Sequence, residues 1–152
     1  MPNVKYLVVH HTAGNKNADI QDERTMHLNQ GFKEIAYNCF IKNDGTIQAG
    51  RNPNNPNYDQ NGANHGLNSK SISVSLAGNF EYDIPTKKQI ENLIQVLAIW
   101  CKRYNLKETA IIGHHQVKGI SKDNGDATLC PGKNMIELLP MVREAVKKYL
   151  IH

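Results

Sequence analysis

Two histidine doublets, each at the end of a short β-branched apolar run, constrain this chain more than any other feature. Lys5 to Val9 leads into His10-His11, and Thr109 to Ile112 leads through Gly113 into His114-His115. Short runs of Val, Ile and Leu read as buried strands. Parallel pairing of these two strands would set both doublets at the same end of one sheet.

Adjacent residues on an extended segment point to opposite faces, so at most one histidine of each doublet can meet a given metal ion. Further on, Thr128-Leu129-Cys130-Pro131-Gly132 adds a thiol in polar surroundings. Imidazole nitrogen and thiolate sulfur are ligands that zinc prefers, and a catalytic zinc site takes three of them while leaving a fourth position for water. His10 or His11, His114 or His115, and Cys130 could furnish the three. Spacing does not choose within the doublets. Taken singly, each histidine reads as a half-buried or surface side chain; two doublets at strand ends together with a Cys-Pro-Gly point to a metal.

The rest of the chain alternates helix and strand signals. Asp19 to Asn29 reads as a helix closed by Gly31, with Ile20, Met26 and His27 on its inner side and His27 as a packing or surface residue. Ile35 to Ile41, the turn Lys42-Asn43-Asp44-Gly45 and Thr46 to Ala49 read as a hairpin carrying Tyr37. Asn52 to Asn68 is a long Asn-, Pro- and Gly-rich loop, a length that is functional or disordered in compact domains. Ser71 to Leu76 alternates Ser with Ile, Val and Leu, a strand with one polar and one apolar face. Thr86 opens a helix through a capping box with Gln89, and Ile90, Leu93, Ile94, Leu97, Ala98 and Cys101 recur at helical spacing. Lys118 to Ala127 reads as a polar loop. Asn134 to Tyr149 reads as a final helix that Pro140 should kink or divide.

At 152 residues the chain fits one domain, 1–152, long enough to bury about two-thirds of the surface of its unfolded form. The pattern predicts an α/β fold with a central mixed β-sheet of about five strands flanked by helices. The net charge of +4 is dispersed, which suits an anionic polymer as partner. Basic residues are not interleaved with aromatics, so nucleic acid is not expected. Three cysteines exclude a complete disulfide framework, and Cys39 and Cys101, in apolar runs, read as buried free thiols. No run approaches ~20 apolar residues, so no membrane span is expected.

The ordered set of motifs resembles the zinc-dependent N-acetylmuramoyl-L-alanine amidases of the phage lysozyme and peptidoglycan recognition protein type. The matching segments are Val8-Val9-His10-His11-Thr12-Ala13-Gly14, Ile35 to Ile41 with Asp44-Gly45-Thr46 and Gly50-Arg51, Asn64-His65, Ser71 to Val74 with Gly78-Asn79-Phe80, Gly113-His114-His115, and Thr128 to Gly132. They span nearly the whole chain, and their order is what makes them specific.

The resemblance implies one zinc ion held by the first histidine of each doublet and by the cysteine, that is His10, His114 and Cys130. Asp126 stands as an alternative oxygen ligand. It further implies Tyr37 beside the metal, contacting water or the developing oxyanion, and Thr128 orienting the oxyanion where phage enzymes carry a lysine. His65 and Asn38 would bind substrate. The implied substrate is peptidoglycan, glycan strand and stem peptide together, cut at the amide between N-acetylmuramic acid and L-alanine by an endolysin or autolysin. The N-terminus enters a strand without a signal-type leader, so the expectation is a cytoplasmic product released by lysis or holin, or a fragment of a secreted protein. A monomer is expected, with a separate wall-binding domain possible outside this chain. Two other readings compete: a wall-binding module of the same fold without hydrolysis, and a thiol enzyme with Cys130 as nucleophile and His114 as base.

Overall fold

The computed structural model describes residues 3–57, 59–121, 125 and 127–151. Five strands, β1 (Tyr6–His11), β2 (Cys39–Ile41), β3 (Ile47–Ala49), β4 (Ser71–Leu76) and β5 (Ile111–Gly113), form one sheet in the order β3-β2-β4-β1-β5. All neighbours are parallel except the β2–β3 hairpin. The central β1 is buried from Leu7 to His11 and is fed by the apolar run Leu7-Val8-Val9, as a parallel strand covered on both faces requires. Its partners β4 and β5 are also wholly buried. The expected mixed α/β sheet is the one observed.

Period-two alternation splits the sheet into two faces. Leu7, Val9, Ile72, Val74, Leu76, Cys39 and Ile41 face α2 (Lys87–Tyr104) and α4 (Lys133–Leu150), and together with Leu93, Leu97, Leu139 and Val142 they make the main core. The opposite face carries Val8, Phe40 and His10. It is covered by α1 (Ile20–Asn29), by the short α3 (Val117–Ile120) and by the 52–68 loop, in two smaller clusters. The serines of β4 lie on this second face and are fully buried. The alternation in the sequence was sound, but the polar side meets a folded loop instead of water.

Helix boundaries follow their caps. The Asp19 side chain accepts the Gln21 and Asp22 backbone N–H groups, and Thr86 and Gln89 form the expected reciprocal box at the start of α2. In α1 the inward residues are Ile20, Glu23 and His27, while Met26 is 42% exposed. Glu23, three residues from Ile20 and four from His27, therefore takes the place expected for Met26. Pro140 does not divide α4, which runs unbroken from Lys133 to Leu150. Pro140 is exposed, so the hydrogen bond it forgoes lies on the solvent side, while buried Met135, Leu139, Val142 and Val146 hold both halves to the core. Residues Val117–Ile120, expected in part as loop, form the single turn α3, anchored by fully buried Val117. Among the described residues no helix is long and apolar enough to cross a membrane.

Candidate metal centre

Strand β1 ends in His10-His11, and the two rings part as alternation demands. His10 turns to the loop-covered face, where it is 2% exposed. His11 turns to the α2 side, where its Nδ1 accepts the Phe80 backbone N–H at 3.1 Å. The register Val9↔Gly113 places the second doublet one step beyond β5, level with the first. There the chain leaves the strand for a 3-10 turn, His114–Gln116, so that pair is separated by the turn and not by strand alternation. The His114 ring packs against His10 at 4.5 Å between centroids. The His115 backbone N–H donates to the Cys130 carbonyl at 2.8 Å.

That bond latches the cysteine loop to the second doublet. A second latch runs from the His11 N–H to Cys130 Sγ at 3.4 Å. As a result one ligand atom from each of His10, His114 and Cys130 lies within 4.8 Å of the others, with Cys130 Sγ 3.6 Å from His10 Nδ1. Two imidazoles and one sulfur so placed could hold a single divalent ion and leave a corner open. Asp126, the alternative oxygen ligand, lies outside the described residues.

The three donors open into a cleft of about 340 Å³, lined also by Tyr37, His27, Phe32, Ala63 and Thr128. A larger hollow of about 570 Å³ sits between β3 and α2, lined mainly by apolar residues such as Ile47, Val96, Ile99 and Trp100 with Arg51 and Arg103 among them, and it lies across the sheet from His10. Chemistry, not size, marks the smaller one.

Tyr37 reaches the cleft from a segment just ahead of β2, which begins at Cys39 and not at Ile35 as expected. The ladder stops there because the Asn38 side chain replaces backbone in it. Asn38 Oδ1 accepts the Ser73 N–H at 2.9 Å, and Asn38 Nδ2 donates to the carbonyls of Arg51 at 2.9 Å and Gln60 at 2.5 Å. Every polar atom of the Asn38 side chain thus stitches loop to sheet. His65 is exposed on the loop, which contributes Gly62 and Ala63 to the cleft lining. Its neighbour Asn64 reaches the site, where its Oδ1 lies 2.6 Å from His10 Nε2. The sequence marks Asn64 only as the first residue of the Asn64-His65 pair and gives no sign of its bond to His10.

Burial sets the electrostatics. It holds the His10 pKa well below its ordinary value, with His114 next in effect and the Asn64 bond opposing. The ring is then neutral at pH 7, the form in which imidazole binds a cation. Burial also pushes the Cys130 thiol up to about 12, against the His11 N–H. A cation bound there has to displace that proton. The Tyr37 phenol is raised by burial first, then by Cys130 and Glu23, so it stays a hydrogen-bond donor.

A family profile described as N-acetylmuramoyl-L-alanine amidase matches residues 1–133. The chain belongs to that family. Among relatives of this amidase-family chain, peptidoglycan-recognition protein SC1a of Drosophila melanogaster is 32% identical over 142 residues, covering 87% of this chain and 70% of that protein. Among solved structures, the N-acetylmuramoyl-L-alanine amidase LysC from Clostridium intestinale URNW superposes with a TM-score of 0.76 at 29% identity, covering 98% of this chain and 86% of that one. The Apis mellifera recognition protein PGRP-SA shares the fold, with a TM-score of 0.75 at 24% identity over 92% of this chain and 83% of that one.

Two consequences of this amidase-family geometry can be measured. A Cβ on Gly113 would stand 2.5 Å from His115 Nδ1 and 2.9 Å from Pro131 Cδ, between the second doublet and the cysteine loop. Gly113→Ala is therefore expected to cost about 1–3 kcal/mol as overpacking and to lower the melting temperature by roughly 2–12 °C. An unchanged melting curve would show that the two segments are not held in contact.

The second concerns His27, whose Nδ1 accepts the Ala36 N–H at 2.9 Å, a bond only the neutral ring can make. Burial first, then the Arg51 charge, lowers its pKa from 6.5. The folded state binds that proton less readily than the unfolded one. Its contribution to stability is complete above the unfolded value and is lost as pH falls through the folded one. His27→Asn keeps an acceptor near Nδ1 and cannot titrate. Its unfolding free energy, measured by denaturant titration, should fall less steeply than the wild type's below pH 6.5; identical slopes would remove His27 from the acid response.

Proposed function

We propose that the protein is a zinc-dependent N-acetylmuramoyl-L-alanine amidase that hydrolyses the amide between N-acetylmuramic acid and L-alanine in bacterial peptidoglycan, acting on the cell wall as an endolysin or autolysin. The observation that carries this reading is the convergence of His10, His114 and Cys130 on one point at the floor of a cleft that Tyr37 and Thr128 also line. A site that only recognised wall fragments would have no need of a nitrogen–nitrogen–sulfur donor set at its deepest point.

The donors suit zinc, a cation of borderline softness: two imidazoles and a soft sulfur, with few enough ligands to leave the ion open to substrate. Bound there, zinc supplies Lewis acidity toward an amide carbonyl and activation of water near neutral pH. The chain's own residues do the rest. Thr128 Oγ1 accepts the Cys130 N–H at 3.1 Å, which leaves its own proton to be donated toward the cleft. The Tyr37 hydroxyl is a second donor on the same wall. Two preorganised donors beside a carbonyl stabilise the negative charge that develops as it becomes tetrahedral. Around them His11 and His115 hold backbone and packing, and they are assigned no ligand role.

Incubation with purified wall tests the reading. New L-alanine amino termini should appear, should vanish with chelator and should return with zinc. New glycan reducing ends would indicate a glycosidase instead. Activity that survives chelation and dies on thiol alkylation would indicate a thiol enzyme. A second reading, wall binding without cleavage, is favoured by the likeness to proteins named for recognition; co-sedimentation with wall and no new ends of any kind would establish it.

A further inference from the structure

We propose that Asn64 and Ser71 are positioning residues that fix the ring tautomer of His10, through a one-way chain of hydrogen bonds ending at the Leu67 carbonyl. The chain is short and wholly buried. Ser71 Oγ donates to the Leu67 carbonyl at 2.7 Å. A carbonyl oxygen only accepts, so the one proton of the hydroxyl is spent there. Ser71 Oγ then has only lone pairs to offer its other neighbours, Asn61 Nδ2 at 3.3 Å and Asn64 at 2.8 Å, and the Asn64 atom facing it must be the amide nitrogen Nδ2. That settles which way round the amide sits, and it leaves Oδ1 toward His10 Nε2 at 2.6 Å. Oδ1 also only accepts, so Nε2 must carry the imidazole proton. A neutral ring has one such proton, and Nδ1 is left as a bare lone pair. Nδ1 is the atom that faces Cys130 Sγ, at 3.6 Å.

Each arrow is forced by the one before it, starting from a backbone carbonyl that has no alternative. Hydrogen positions need not be seen for the conclusion to hold. Asn64 and Ser71 are fully buried, and water has no access to repair a reversed link. The loop is itself folded to hold the chain in place. Asn61 Nδ2 donates to the Ser71 carbonyl at 2.6 Å and to the Asn68 carbonyl at 3.1 Å, while Asn68 Oδ1 accepts the Asn64 N–H at 2.9 Å. This gives the Asn-rich loop a chemical task, the orientation of the first histidine. A metal-binding histidine commonly has its second nitrogen held by an acceptor, and loss of that acceptor weakens metal binding about 10–100-fold.

The consequence for metal rests on the zinc-amidase reading, but the tautomer itself does not, and the test keeps them apart. Histidine-selective 15N NMR of the metal-free protein at a pH where His10 is neutral should show it as the Nε2–H form. Asn64→Leu and Ser71→Ala should each convert it to a mixture of tautomers. Asn64→Asp, with acceptor oxygens on both sides, should retain the Nε2–H form, and it should restore that form when added to Ser71→Ala. In competition with a chromophoric chelator, zinc affinity should fall about 10–100-fold in Asn64→Leu and recover in Asn64→Asp. A wild-type His10 protonated on Nδ1 would overturn the proposal, as would an unaltered tautomer in both Asn64→Leu and Ser71→Ala. Should the wild type show the Nε2–H form and the variants lose it while no zinc binds and no wall is cut, the positioning chain stands and the amidase reading falls.

Discussion

On the proposed zinc-amidase reading, Cys130→Ser is expected to leave a folded protein that has lost most zinc binding and all but a trace of wall hydrolysis. The fold should survive because the substitution is nearly isosteric and an oxygen can still accept the His11 N–H that Sγ now takes at 3.4 Å. The metal should not. A hydroxyl is a poor ligand beside a thiolate, and structural zinc sites of four ligands are worth about 10–16 kcal/mol, so one ligand carries about a quarter of that and its loss weakens binding roughly 10²–10³-fold. Metal analysis after dialysis, alongside release of amino termini, measures both effects together.

The same position separates the metal reading from a thiol nucleophile. Reactive cysteines have a depressed pKa and an exposed sulfur. Cys130 is 9% exposed and burial pushes its thiol up to about 12, the opposite on both counts. Cys130→Asp therefore discriminates, because a carboxylate can ligate zinc but cannot replace a sulfur nucleophile. Partial recovery of both metal and hydrolysis in Cys130→Asp, against none in Cys130→Ser, is the expected pattern. Equal loss of hydrolysis in both variants with zinc retained in both would favour the nucleophile.

That the two doublets and Cys130 could meet was legible because strand ends are scarce positions and few side chain types ligate, whereas the choice of His10 and His114 within the doublets came from the family resemblance. Two β-branched runs ending in histidines have one economical arrangement, parallel neighbours, and the register Val8↔Ile112 and Val9↔Gly113 is that arrangement. What periodicity cannot reveal is what covers a face. Ser71, Ser73 and Ser75 were legible as one side of a strand, yet whether that side met water or the 52–68 loop depended on contacts far apart in the chain. Asn64 was hidden for the same reason. Its value lies in the direction of its bonds to His10 and Ser71, and an asparagine among many in a polar loop looks solvated. The bonds of Asn38 were equally hidden: it stands beside Tyr37 in the sequence, and its amide reaches Ser73, Arg51 and Gln60 far along the chain. The α1 helix shows the limit of an apolar pattern when it is thin, since a buried carboxylate, Glu23, took the inward place expected for Met26.

Tyr37→Phe should retain zinc and wall binding while turnover falls roughly 10²–10³-fold, the usual effect of deleting one preorganised oxyanion donor. The ring itself has a packing task that Phe can perform. It lies 5.2 Å from the His10 ring and 5.2 Å, edge-on, from the His27 ring, between the metal donors and helix α1. Only the hydroxyl is lost, and a phenol, protonated at neutral pH, acts there as a donor and not as a base. A donor that strengthens its bond only as charge builds on the carbonyl oxygen lowers kcat and leaves KM nearly unchanged. A rise in KM at constant kcat would instead assign the hydroxyl to ground-state binding, and full turnover would remove it from the chemistry. Thr128→Val supplies the internal comparison. It removes a second donor on the same wall, but also the acceptor of the Cys130 N–H at 3.1 Å, so its loss of kcat should come with weaker zinc binding. If Tyr37→Phe alone lowers kcat at full metal occupancy, the two hydroxyls divide the work as the geometry suggests: Tyr37 acts on the substrate, and Thr128 acts on substrate and cysteine loop together.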